Sequence, residues 1–149
     1  MTEITSTKKW AAIVAVWAML GVIYAGPIYY EVRSEGMDHA AWRVFSWGIL
    51  TWLAWAPLTP VMVWIARRFS LVEGAWKRNL LVHLPAFLFV SILHSAAHTA
   101  ITLTIQPWDD MSTSPQQFWP RFVGKLQGAF GPDLLIYGGV IGICYALDY

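Results

Sequence analysis

Charge is what this chain has least of. Only 13% of its 149 residues are Asp, Glu, Lys or Arg, against about 25% in an ordinary water-soluble domain. The few charges nearly cancel, ten basic against nine acidic, which removes the basic face that nucleic-acid binding requires. A single cysteine, Cys144, excludes an internal disulfide and a cysteine-based zinc site. There is no Gly-rich phosphate loop and no evident pairing of a nucleophile with a base, so the chain alone is a poor candidate for an enzyme. The opening "MTEITSTKKW" leads into a long apolar run without a small-residue cleavage signal, so that run is expected to be retained.

What is present is apolar and aromatic. Hydrophobic residues make up 57% of the chain and ten are tryptophan, a residue that favours membrane–water interfaces. A helix needs about 20 apolar residues to cross the hydrocarbon core. "WAAIVAVWAMLGVIYAGPIYY" (10–30) and "VFSWGILTWLAWAPLTPVMVWIA" (44–66) hold no charge, and neither does the stretch from Asn79 to Trp108 apart from His83, His94 and His98. "LLIYGGVIGICYAL" after Asp133 is too short by itself. A fourth span must therefore begin near Leu126 and carry Asp133 into the membrane. The expectation is a single all-α domain over 1–149, a four-helix transmembrane bundle with spans near 10–30, 44–66, 80–105 and 126–147.

Lys8 and Lys9 precede the first span, and Arg67, Arg68, Lys77 and Arg78 flank the 2–3 connection. The connections "EVRSEGMDHAAWR" and "PWDDMSTSPQQFWPRFVGK" are richer in acids. The positive-inside rule then predicts cytoplasmic N- and C-termini in a multi-pass membrane protein. Trp10, Trp64 and Trp76 fall at the inner interface, and Trp42, Trp108 and Trp119 at the outer one. Pro57 and Pro60 in "APLTP" predict a bend in the second span, either a packing kink or a hinge. Ser91, Ser95 and Thr99 repeat every fourth residue, and Gly138 with Gly142 forms G-x-x-x-G. Both patterns allow close helix approach in lipid, the second of them against another subunit.

The candidate site starts from "SILHSAAHTA" (91–100), where His94 and His98 share a helix face. Counting inward from the span ends places Asp133 level with His98 and Tyr137 level with His94, provided spans three and four are antiparallel neighbours. A carboxylate in a bilayer requires a partner; His98 is the expected one, with Lys125 or Arg121 as competitors. His83 lies about 20° around the helix from His94 but roughly 16 Å along the axis, so it is expected near the cytoplasmic surface. Trp52 and Trp55 are expected to line a cavity. Three readings stay open: a cluster that fixes helix register, a site that senses a proton or small ligand, and a zinc or copper site on His94, His98 and Asp133. The H-E-x-x-H of zinc proteases is absent, because Ser95, Ala96 and Ala97 separate the two histidines.

"WLAWAPLTPVMVWIARRFSL" (52–71), "WKRNLLVHLPAFLFVSILH" (76–94) and "DLLIYGGVIGICYALDY" (133–149) together resemble the membrane input region of LytS-like bacterial sensor histidine kinases, which act on LytTR-type response regulators. The shared features are a Trp-rich second span ending in TP, a W-x-x-R-R-F sequence, an R-N-L-x-x-H start to span three, and a last span of the form L-L-I-Y. This chain departs in having Asp133 where the pattern has a polar amide. The resemblance implies a homodimeric signal-input module without kinase activity of its own. It passes its signal through span four to a dimerisation and ATP-binding region not included in these residues. The rival expectations are a small oligomeric membrane transporter or metal-binding protein and a purely structural membrane anchor.

Overall fold

The computed structural model describes residues 6–34, 36, 40–71, 76–108 and 117–148. Glu35, Asp38, Asp109 and Asp110, which carry much of the acidic part of the expected charge bias, lie outside the described residues, as does Glu73 of the 2–3 connection. All five regular elements among those described are helices, α1 (Ser6–Ser34), α2 (Ala41–Leu53), α3 (Thr59–Arg68), α4 (Trp76–Ile105) and α5 (Phe118–Asp148).

Three of these, α1, α4 and α5, are long and apolar enough to cross a membrane. Leu81 on α4 is 69% exposed, and Leu135 and Leu147 on α5 are 78% and 80% exposed. Apolar side chains presented outward along whole helices suit lipid, not water. Length, composition and exposure point to a membrane protein. The fourth expected span is more substantial than the sequence suggested, because α5 runs for 31 residues and starts well before Leu126.

The second expected span is not one bent helix. It divides into α2 of 13 residues and α3 of 10, each too short to cross alone. Proline accounts for the break. Pro57 has no N–H to offer the Leu53 carbonyl, which instead accepts from the Ala56 N–H at 2.9 Å, and the Trp55 N–H turns back to the Trp52 carbonyl at 3.1 Å. These tighter i to i+3 bonds end α2, and Pro60 sits in the first turn of α3, where its missing donor would have no partner in any case. Pro27, Pro85 and Pro132 lie inside continuous helices.

The chain forms two compact units, Met1–Ala56 with Ala97–Phe118, and Pro57–Ala96 with Trp119–Tyr149. In the first unit α1 crosses α2 at backbone contact. A Cβ on Gly21 would lie 2.6 Å from the Ile49 Cα and 2.8 Å from the Gly48 carbonyl oxygen, and one on Gly48 would lie 2.7 Å from the Ala25 Cβ. Only residues without a side chain fit at that crossing, as in close helix pairs in lipid. Aromatic rings fill the space beside it. Trp17 packs on Trp52 and Trp55, Tyr24 on Trp47 and Trp52, and Trp47 on Trp108, with centroids 5.7 to 6.0 Å apart.

In the second unit, α4 and α5 are linked by Phe87 against Phe130 and Tyr137, at centroid distances of 5.1 and 5.7 Å. The end of α3 is bound to the other two helices. Tyr145 on α5 receives the Leu71 N–H at 2.9 Å, and Asn79 on α4 donates to the Ser70 carbonyl at 2.7 Å.

Candidate functional site

Tyr137 and Asp133 occupy one face of α5, a turn apart, and both are buried. Their partners lie on α4, also on one face, at His83 and His94. The Asp133 Oδ1 lies 3.4 Å from the His94 Nδ1, with the two side chains 2% and 7% exposed. The Asp133 Oδ2 has no hydrogen-bond partner among the described residues. A buried carboxylate with one imidazole beside it is stable only while a proton is shared or a charge balanced between them, because an isolated buried charge is expensive.

His83, expected near the cytoplasmic surface and left without a role, is a buried link between helices, 3% exposed. Its Nε2 lies 2.8 Å from the Phe69 carbonyl oxygen and its Nδ1 lies 3.0 Å from the Tyr137 hydroxyl. A carbonyl only accepts, so Nε2 donates; in the neutral ring Nδ1 then accepts the Tyr137 O–H. His83 therefore joins the end of α3 to the middle of α5. The signal was available: eleven residues is close to three full turns, so His83 and His94 share a face of α4.

The expected register is corrected by about a turn or more. Asp133 has His94, not His98, as its imidazole, and Tyr137 has His83, not His94. Depth had been counted from Ile105 and Lys125 as the outer ends of the two spans. Both helices are longer than a membrane requires, so their ends do not fix relative height.

His98 belongs to the aromatic cluster of the first unit. Its ring meets Trp47 edge-on at 5.7 Å, and the Trp47 indole N–H donates to the Thr102 hydroxyl at 2.8 Å. That hydroxyl in turn donates to the His98 carbonyl at 2.8 Å. Trp52 and Trp55 pack on Trp17 in the same cluster, Trp55 only 1% exposed. The expected cavity-lining pair is thus seen as packed rings.

A zinc or copper centre takes three or four protein ligands. Among the described residues no three His, Cys, Asp or Glu side chains gather where they could hold one ion. His94 and Asp133 supply two donors.

A second polar region lies where α3 ends, α4 begins and α5 ends. The Arg67 guanidinium binds the Asp148 carboxylate through two bonds of 2.8 Å. This partner raises the Arg67 pKa above its ordinary value, first through the hydrogen bond and then through the charge. Sequence reasoning used Arg67, Arg68 and Arg78 as markers of membrane orientation and as parts of the W-x-x-R-R-F and R-N-L patterns, not as a site.

Comparison of the chain with protein-family models, curated proteins and solved structures finds no match. The likeness to LytS-like input regions therefore rests on the quoted stretches alone.

Proposed function

We propose that this chain is the membrane-embedded input domain of a signalling protein, with the His94–Asp133 pair as its polar centre. The observation that carries the reading is that pair: a carboxylate 2% exposed, set 3.4 Å from an imidazole, between two helices whose outward surfaces are apolar. Nothing in a helix pair of this kind calls for a carboxylate as packing material. A group whose charge must be balanced across one contact responds to a proton or a small polar ligand by changing the force between α4 and α5. Asp133 and Asp148 share α5, so a change at the centre acts on the helix that leaves the domain.

In this reading the 44–66 region, comprising α2, the proline turn and α3, makes one crossing. The protein then passes four times through the bacterial inner membrane with both termini in the cytoplasm, and α5 leads into a dimeric histidine kinase that phosphorylates a response regulator. Exposed tryptophans agree with that placement: Trp10, Trp64 and Trp76 are 44%, 62% and 48% exposed, and Trp42 and Trp119 are 63% and 68% exposed. The open Cβ positions of Gly138 and Gly142 leave the G-x-x-x-G face of α5 available to a second subunit.

The test is the native gene product. A sequence continuing from α5 into a helix with a phosphoacceptor histidine, together with ATP-dependent phosphorylation altered by Asp133→Asn, is the expected result. A native product ending at Tyr149, or phosphorylation indifferent to Asp133→Asn and His94→Ala, contradicts the proposal.

A further inference from the structure

The arginine-rich end of the second unit encloses a cavity of about 640 Å³, within the usual size of small-molecule sites. Its charged lining is Arg67, Arg68, Arg78 and Asp148, three positive groups and one negative, a net charge of +2. We propose that this cavity binds a phosphate anion, the shared chemistry of an anionic lipid headgroup and of a soluble phosphate ligand.

Three observations carry the proposal. First, the arginines are unevenly committed. Arg67 is held in a two-point bond by Asp148, whereas Arg68 and Arg78 have no ion-pair or hydrogen-bond partner among the described residues and line the same space. Arginine forks match phosphate oxygens in pairs, and charge-assisted bonds of this kind are the strong ones. Second, the cavity is held open by neutral groups. Asn79 is fixed to the Ser70 carbonyl and the Tyr145 hydroxyl to the Leu71 N–H, so the walls do not have to order on binding. Third, no acidic residue stands in the first turn of α4, so that turn adds no charge that repels an anion. The cavity lies at the ends of α4 and α5, the two long apolar helices of this unit, which is the height of the lipid phosphate layer in a spanning protein. Basic pockets at that level receive lipid headgroups.

Asp148 gives the site its distinctive behaviour. The carboxylate competes with an incoming phosphate for Arg67, so removing it should strengthen binding, and a bound phosphate should loosen the tie between α3 and the end of α5. The inference does not depend on the signal-input reading; it requires only that α4 and α5 span the bilayer.

Native mass spectrometry of the full chain in a neutral detergent tests it, with phosphatidylglycerol, phosphatidylcholine and inorganic phosphate as separate probes. We expect one phosphatidylglycerol retained in preference to phosphatidylcholine. Arg68→Gln or Arg78→Gln should weaken it by about tenfold, the effect of losing one charged hydrogen-bond donor, and Asp148→Asn should strengthen it severalfold. Displacement by inorganic phosphate assigns the site to a soluble phosphate ligand; retention of lipid against excess phosphate assigns it to the headgroup. Both outcomes support the site. Lys9→Gln, a lysine outside the cavity, serves as the control for general surface charge. The proposal is overturned if neither probe is retained, or if Lys9→Gln weakens binding as much as Arg78→Gln. Far-ultraviolet circular dichroism checks that each variant is folded. Asp148→Asn changes an exposed side chain in the opposite direction, so unfolding cannot imitate its result; unchanged or weakened binding in that variant also overturns the proposal.

Discussion

In the first unit α1 and α2 meet where Gly21 and Gly48 bring backbone against backbone, and the remaining space is filled by tryptophan rings. In the second, α4 and α5 meet through hydrogen-bonding and ionisable side chains, His83 with Tyr137 and His94 with Asp133. The first arrangement is set by shape and has no group whose charge must change for it to open. The second is set by polar groups that must be paired to be buried. The first kind of contact lies in one unit and the second kind in the other.

The comparison breaks most severely at the glycine crossing. Gly21→Leu forces a branched side chain into backbone already at contact, and we expect a loss of ~3 kcal/mol, seen as a large fall in the thermal midpoint of unfolding in detergent. Gly138→Leu, with nothing within 4 Å of its Cβ position, should leave the midpoint of the monomer nearly unchanged. Equal losses in the two variants would remove the distinction between a packed and an open glycine face.

Two hydrogen-bond deletions sharpen the contrast at a smaller scale. Tyr137→Phe removes the hydroxyl from the His83 Nδ1, and Trp47→Phe removes the indole N–H from Thr102. Tyr137→Phe should cost about 1 kcal/mol, the net worth of a buried hydrogen bond, and Trp47→Phe more, because it also shrinks a buried ring packed on Tyr24 and Trp108. Unfolding free energies of the two variants in one detergent at neutral pH check this; a negligible loss in either would show that its bond carries no net stability.

The smallest effect is expected at the rim. Arg67→Gln breaks a pair whose side chains are 60% and 33% exposed, and exposed pairs contribute little to stability. Its unfolding midpoint should match that of the parent protein within measurement scatter. A large drop would mean that this end of the second unit is held by charge, not by the Asn79 and Tyr145 bonds.

Much of the architecture was legible in the residues. Uncharged runs gave the apolar helices, and the lone carboxylate in a run of leucine and isoleucine identified Asp133 as a buried group in need of a partner. The proline effect was underestimated, because Pro57 denies the Leu53 carbonyl its donor, the chain closes with shorter bonds instead of bending, and Pro60 is placed to start a new helix. Which imidazole meets Asp133 was not legible, since side-chain pairing between helices depends on their relative slide, and apolar residues specify slide weakly. Gly21 and Ala25, spaced four apart, carry the small-residue signal recognised at Gly138 and Gly142 but were hidden in a run read only for its length. The arginines were read for their sign and not for the cavity they share.

The central claim is that His94 and Asp133 are energetically joined, and a double-mutant cycle measures that directly. Unfolding free energies are needed for the parent, His94→Leu, Asp133→Leu and the double variant in one detergent at neutral pH. Each single change strands the other polar group in an apolar setting and should cost ~3 kcal/mol, whereas the double variant should recover much of that loss. The account predicts a coupling of about 1 kcal/mol or more between the two sites. Strictly additive losses would show that the imidazole and the carboxylate do not act on each other, and the proposed polar centre would have no basis.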